Sequence, residues 1–312
     1  MSRLADKLAS GERIITGELP VVDSGGLAAV QRVYEPYAEW CDAMNATDNT
    51  AAHAHASNVS VAIALMRLEI EPILQVVCRD KNRLAIQADI VGAALHGVEN
   101  ICCLTGDDVT AGDEPESRRV FDLDSPAMIG VASGLARGEY LSGRPLDPAP
   151  ALVIGAVENP GAPPLAYRAH RAMKKVLAGA RFLQLQICYE PAVLEGFMAE
   201  CVRLGVAERA AILPSICLAG GARAFSFMND DVPGISVPRP VIDRIVSAAS
   251  PKDEAFELAC EQAEHALSLP GVRGLHLISF RKDDAVARLC ERVGIPSRQE
   301  RASVGHGTHV TV

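Results

Sequence analysis

Carboxylates, amides and hydroxyls stand at the ends of short apolar runs throughout this sequence, and that placement is what makes them candidates for chemistry. In "RIITGELPVV" (13–22) Glu18 ends a β-branched run just before Pro20, where a carboxylate is either a solvated turn residue or a general acid. The second run ends in "NATDN", with Asn45, Thr47, Asp48 and Asn49; the third holds Gln75 and leads into "CRDKN". The fourth ends in "LTGDD" (Thr105, Gly106, Asp107), and the fifth in "GAVENP" (Glu158, Asn159). The sixth, "FLQLQICYE", carries Gln184 and Gln186, and the last carries His276 and Ser279. Asn, Asp and Thr are also common helix caps and turn residues, so Asp80 and Asn82 read as caps and Glu158–Asn159–Pro160 reads equally as a turn. Gln184 and Gln186 are different, because two residues apart they share one face of a buried strand. An amide there needs a partner, which predicts that at least one faces a cavity.

Other chemistries are poorly served. His53 and His55 lack a carboxylate–His set, so no metal site is expected. Lys174 and Lys175 fall in a helical segment rather than at a strand end, which argues against a Schiff base. There is no G-x-S-x-G and no Cys/His nucleophile pattern. The nine cysteines are scattered without a C-x-x-C and read as reduced, buried thiols.

The runs themselves predict strands near 13–18, 42–47, 72–77, 99–104, 151–156, 181–187, 210–214 and 274–279, alternating with segments of helical spacing. Apolar residues on both faces suit a parallel sheet covered by helices. Gly follows several helical segments just before a strand, as in "LAGARFLQL". Eight such units predict an α/β fold, a (β/α)8 TIM barrel, whose chemistry belongs at the C-terminal strand ends. An open doubly wound sheet is the alternative, but Gly25–Gly26 does not match its G-x-G-x-x-G turn. Residues 1–294 are expected to form one barrel domain and 295–312 a flexible tail. Residues 106–124 form a long acidic loop, and 214–250 the seventh connection.

The 312 residues carry a formal net charge of −9 with no long basic run, which argues against a nucleic-acid surface. No apolar run reaches the roughly 18 residues of a membrane span. The opening "MSRLADKLASGERI" lacks a signal peptide's apolar segment, so a cytoplasmic protein is expected.

Taken in order, "ELP", "NATDN", "CRDKN", "LTGD", "ENP" and "KKVLAGARFLQLQ" make residues 12–292 similar to the methylenetetrahydrofolate reductase family. The resemblance implies a (β/α)8 barrel with FAD at its C-terminal rim. Hydride would pass from NADH or NADPH through the flavin to the methylene carbon of 5,10-methylenetetrahydrofolate, giving 5-methyltetrahydrofolate. It makes Glu18 the acid that protonates folate N5 and opens the five-membered ring, with Asp107 a second catalytic residue beside flavin and pterin. Gln186 would contact the folate, with Gln184 and Ser279 on the substrate side. Thr47 would lie beside the flavin and Lys175 near its phosphates; Gln75, Thr105, Gly106, Glu158 and Asn159 complete the cofactor side. A homo-oligomer is also implied. The sequence departs from the family in having "GELPVV" for an aromatic "FEFFPP", Gln75 for a histidine and Thr105 for an arginine. Relatives without flavin leave direct hydride transfer, or an oxidative direction, as alternatives; a pterin-binding methyl-transfer subunit is a third.

Overall fold

A strand that is apolar on both faces must be covered on both, and the computed structural model shows how. It describes residues 2–281 and 283–305. Nine parallel strands, β1 (Ile14–Glu18), β2 (Ala43–Ala46), β3 (Pro72–Val77), β4 (Asn100–Leu104), β5 (Val153–Glu158), β6 (Phe182–Leu185), β7 (Ala211–Leu213), β8 (Ser215–Leu218) and β9 (Gly274–Ser279), are ordered β7-β6-β5-β4-β3-β2-β1-β9-β8. The sheet curls into a (β/α)8 barrel, as expected. Its seventh strand is in two pieces. Pro214 has no N–H to donate, so β7 pairs with β6 and, after the proline, β8 pairs with β9. The Ile212–Val272 bridge closes the lower edge.

Helices α1 (Arg3–Ser10), α2 (Gly26–Tyr34), α3 (Asn58–Arg67), α4 (Arg83–Ala94), α5 (Ser125–Ala136), α6 (Arg168–Ala178), α7 (Pro191–Leu204), α8 (Ala222–Asp231), α9 (Arg239–Ser247), α10 (Pro251–Ser268), α11 (Ala285–Arg292) and α12 (Arg298–Gly305) complete the chain. Among the described residues no helix is long and apolar enough to cross a membrane. The main core lies between sheet and helices. Helices α8 and α9 pack over the C-terminal rim with a small core of their own around Phe225, Met228 and Ile245.

Inside the barrel the floor is apolar: Leu4 of α1 plugs it against Ile14, Ala43, Ile73 and Phe182. Glu71 fastens the plug by accepting from the free N–H groups of Arg3 and Leu4 at 2.8 and 2.9 Å. Opposite Phe182, Gly155 has no side chain because a Cβ there would lie 2.2 Å from the ring.

Two segments expected to be irregular are held. The acidic loop folds against the β2 loop, where a Cβ on Gly112 would meet Ala52 O at 1.8 Å. In the stretch expected to be a flexible tail, 298–305 is helical, and Arg301 bonds Asp42 at 2.9 Å and Trp40 O at 2.6 Å. Buried acceptors waiting for a guanidinium explain that order; residues 306–312 lie outside the described residues.

Candidate active site

Strand alternation sends Thr16, Asn45, Gln184 and His276 into the barrel one level above its apolar floor, all between 0 and 3% exposed. Polar groups so deep must satisfy one another, and they do. Asn45 and Gln184 exchange amide hydrogen bonds of 2.9 and 3.0 Å. The Cys102 thiol, its pKa pushed up to about 12 by burial, donates to Gln184 Oε1 at 3.5 Å, which fixes the orientation of that amide. Gln184 Nε2 also donates to Thr16 Oγ1 at 3.1 Å.

His276 Nδ1 lies 2.9 Å from Thr16 Oγ1 and 3.3 Å from Gln184 Nε2, while Nε2 has one remote donor, Asn45 Nδ2, at 3.5 Å. With both Gln184 Nε2 hydrogens directed at Asn45 Oδ1 and Thr16 Oγ1, the Thr16 hydroxyl is the close donor left for Nδ1, and a carboxylate opposite Nε2 favours the ring proton on Nε2. That nitrogen faces Glu18 Oε2 at 3.8 Å.

Glu18 is the next inward residue of β1 and stands on this layer, at the base of a cavity of about 270 Å³ in the barrel mouth. Gln75, Asp107 and Gln186 line the same cavity among mainly apolar walls such as Val77, Leu104 and Ile278, and Phe227 of α8 and Phe280 after β9 sit at its rim. Gly106 delivers Asp107: at φ +91° it makes a turn an L-residue resists, and a Cβ would lie 2.5 Å from Val77 Cγ1. Burial raises the Asp107 pKa, and the nearby Arg79 guanidinium only partly offsets that. Arg79 is itself buried, bonding both Asp80 oxygens at 2.7 Å and Asn49 O at 2.9 Å. Burial also raises the Asp48 pKa, against the pull of Lys81 at 2.8 Å. The adjoining wall is strained, with Asn49, Ala51 and Ala52 at φ 45°, 50° and 61°.

Of the residues the sequence singled out, Glu18, Gln75, Gly106, Asp107, Gln184 and Gln186 therefore meet at one cavity. Gln184 does so from below, its amide committed to the polar layer. The others stand elsewhere. Thr47 is buried off the cavity lining. Thr105 Oγ1 accepts from Ser125 N at 3.1 Å and caps α5. Glu158 is the outward neighbour of Val157, bonded to Lys175 at 2.7 Å with Arg168 and Arg171 each at 3.7 Å. Lys175, 3% exposed, has its pKa lowered by burial and is turned from the mouth. Asn159 donates to Gly234 O at 2.7 Å, tying the β5 loop to the α8–α9 connection. Ser279 also faces outward, its N–H donating to Tyr37 Oη at 3.1 Å. His276 and Asn45 were visible at strand ends but not singled out, and nothing in the sequence marked the α8 wall.

The sequence model of the family described as methylenetetrahydrofolate reductase matches residues 27–127 and 158–294. The chain belongs to the methylenetetrahydrofolate reductase family. Among solved structures, an uncharacterized protein from Clostridium thermocellum that binds two copies of 5-methyl-5,6,7,8-tetrahydrofolic acid superposes with a TM-score of 0.67. It is 15% identical, over 94% of this chain and 99% of its own. Yersinia pestis dihydropteroate synthase, in complex with a sulfonamide drug, has a TM-score of 0.45 at 12% identity, covering 94% of this chain and 95% of its own. A putative phosphonomutase from Burkholderia cenocepacia has 0.48 at 12%, covering 97% and 98%. Among curated proteins none matches this chain.

The FAD that the family resemblance implies would need cations or free N–H groups for its diphosphate. Lys175, the side chain expected near those phosphates, does not fit that role because it is locked to Glu158; of the others expected on the cofactor side, Thr105 accepts from the first N–H of α5 and Asn159 holds the α8–α9 connection. Arg79, the cation on the cavity wall, is clamped by Asp80.

Proposed function

We propose that this chain binds a reduced folate in the barrel mouth and reduces 5,10-methylenetetrahydrofolate to 5-methyltetrahydrofolate with a hydride from NADH or NADPH. Because the product keeps its methyl carbon on N5, the bond that opens is the one from the methylene carbon to N10; the proton goes to N10, not to N5 as expected from the family resemblance, and the hydride goes to the methylene carbon. Glu18 supplies the proton. The observation that carries this reading is the Glu18 carboxylate in a largely apolar cavity, backed by His276, with Gln186 and Asp107 lining the same cavity. A pteridine presents donors and acceptors along its edge that such side chains can read, while apolar walls hold its faces. Family membership and the Clostridium thermocellum neighbour with its bound 5-methyltetrahydrofolic acid support the ligand class.

A second reading is a methyl-folate-binding subunit without redox chemistry. It is favoured by the poor fit of Lys175, the residue expected at the flavin phosphates, and by the methylated folate of that neighbour. One experiment separates the two: protein, NADH or NADPH and methylenetetrahydrofolate are mixed, and nicotinamide oxidation is followed with and without added FAD. Folate-dependent oxidation supports the reductase. Tight binding of 5-methyltetrahydrofolate with no oxidation under either condition supports the binding subunit.

A further inference from the structure

The break at Pro214 has a consequence for the barrel wall. β6 and β7 are paired up to Gln184–Leu213, but beyond the proline β8 pairs with β9 alone, so among the described residues no ladder joins β6 to β8. Ser215 Oγ donating to Leu185 O spans this parting. Gln186 and Ser215, on its two sides, line the mouth inside the barrel and also a second cavity outside it, between α7 and α10.

This side chamber has a volume of about 240 Å³, against about 270 Å³ for the mouth, so both hold a ring system of the same size. Tyr189, Leu194 and Leu258 give it apolar walls. Its far end presents His265, whose Nε2 is buried and, among the described residues, has no hydrogen-bond partner; Glu195 Oε1 stands 3.6 Å away. A buried ring nitrogen left unpaired costs free energy and calls for an explanation. At the near end Gln186 Oε1 accepts from Ile187 N at 3.0 Å, which leaves the amide nitrogen for a ligand. Ser215, Glu261 and Gln262 also line the chamber but are engaged by Leu185 O, Arg244 and Cys188 O, which leaves the Gln186 and His265 nitrogens to meet the hydrogen-bonding edges of a flat heterocycle.

We infer that the side chamber is a second binding site for a pteridine-sized heterocycle, held between Gln186 and His265. The inference rests on the reading of the mouth as a reduced-folate site, because the same ring system is the probe. Gln186 then touches both ligands and links the two sites.

The test is the stoichiometry of 5-methyltetrahydrofolate binding to the full chain by calorimetry, for the wild type, Leu258→Trp and His265→Leu. Leu258→Trp fills the chamber from a wall that the mouth does not share. His265→Leu removes the unpaired nitrogen at a partly exposed position and keeps the test available if the tryptophan is not accommodated. The expected result is two sites per wild-type chain and one in Leu258→Trp. His265→Leu should weaken one site about 3- to 10-fold, the worth of one hydrogen bond, and leave the other unchanged. One site in the wild type, or two undisturbed sites in both variants, overturns the inference and leaves the reading of the mouth standing. No binding to any of the three proteins overturns both.

Discussion

Glu18 Oε2 and His276 Nε2 face each other across 3.8 Å, where the barrel's buried polar layer meets its mouth. The carboxylate comes from the first strand of the barrel and the imidazole from the last, neighbours through the β1–β9 pairing. His276, itself on the cavity lining, is held from behind by Thr16 and Gln184 and so presents a fixed imidazole to Glu18. His276→Leu is expected to lower kcat about tenfold or more, equivalent to roughly 1.4 kcal/mol in the barrier, with a smaller change in KM. Nitrogen-15 spectra of histidine-labelled protein should show the His276 proton on Nε2. A proton on Nδ1 would reverse the direction of the network.

The layer beneath should behave as a unit. Removing one amide leaves its partner buried and unpaired, so Asn45→Leu and Gln184→Leu are each expected to cost about 1–3 kcal/mol in urea unfolding. The double variant should cost less than the sum by about 1 kcal/mol, since neither amide is then stranded. Strict additivity would mean that the two side chains do not depend on each other.

Asp107 supplies a pH dependence. Burial raises its folded-state pKa above the usual 3.8, so between those two values the folded protein holds more protons than the unfolded chain. Stability attributable to this residue therefore falls as pH rises through that window, and the deficit persists at neutral pH. Asp107→Asn should be more stable than the wild type at neutral pH, with the gain vanishing below the usual 3.8, and should bind folate more weakly. Thermal unfolding across pH checks the sign; a variant less stable at neutral pH would show that the carboxylate is a net stabiliser.

Asn159 acts on the cavity from outside it. Its hydrogen bond to Gly234 O, 2.7 Å, holds the connection whose Val232, Pro233 and Ile235 line the mouth. Asn159→Asp keeps the shape and loses the donor. The folate KM should rise about 3- to 10-fold, the worth of one neutral hydrogen bond, with kcat little altered. An unchanged KM in initial-rate measurements would detach this wall from the substrate.

These residues also show where the sequence was informative. Apolar runs punctuated by glycine and polar strand ends placed all eight barrel strands, because burial on both faces and loop chemistry leave local marks. The same two-sided burial hides which residues point inward. Ser279 and Glu158 each lie one position from an inward residue, and a one-residue step moves a side chain to the other face of the sheet. His276 and Asn45 became legible only when the ladder register brought them to Gln184. Lys175 was placed near the cofactor's phosphates by the family resemblance, and only the buried Glu158 opposite shows that its charge is already neutralised. The second piece of the seventh strand follows from Pro214 pairing on one side at a time, a tertiary effect with no local signature.

If Glu18 is the acid of a folate reductase, Glu18→Gln removes the proton that the reaction needs. The amide keeps the shape and the contact with the polar layer but has no proton to give. Folate-dependent nicotinamide oxidation should fall by about 10²–10⁴-fold, while the Kd for 5-methyltetrahydrofolate stays within about threefold. Turnover equal to the wild type would contradict the account and remove Glu18 from the chemistry.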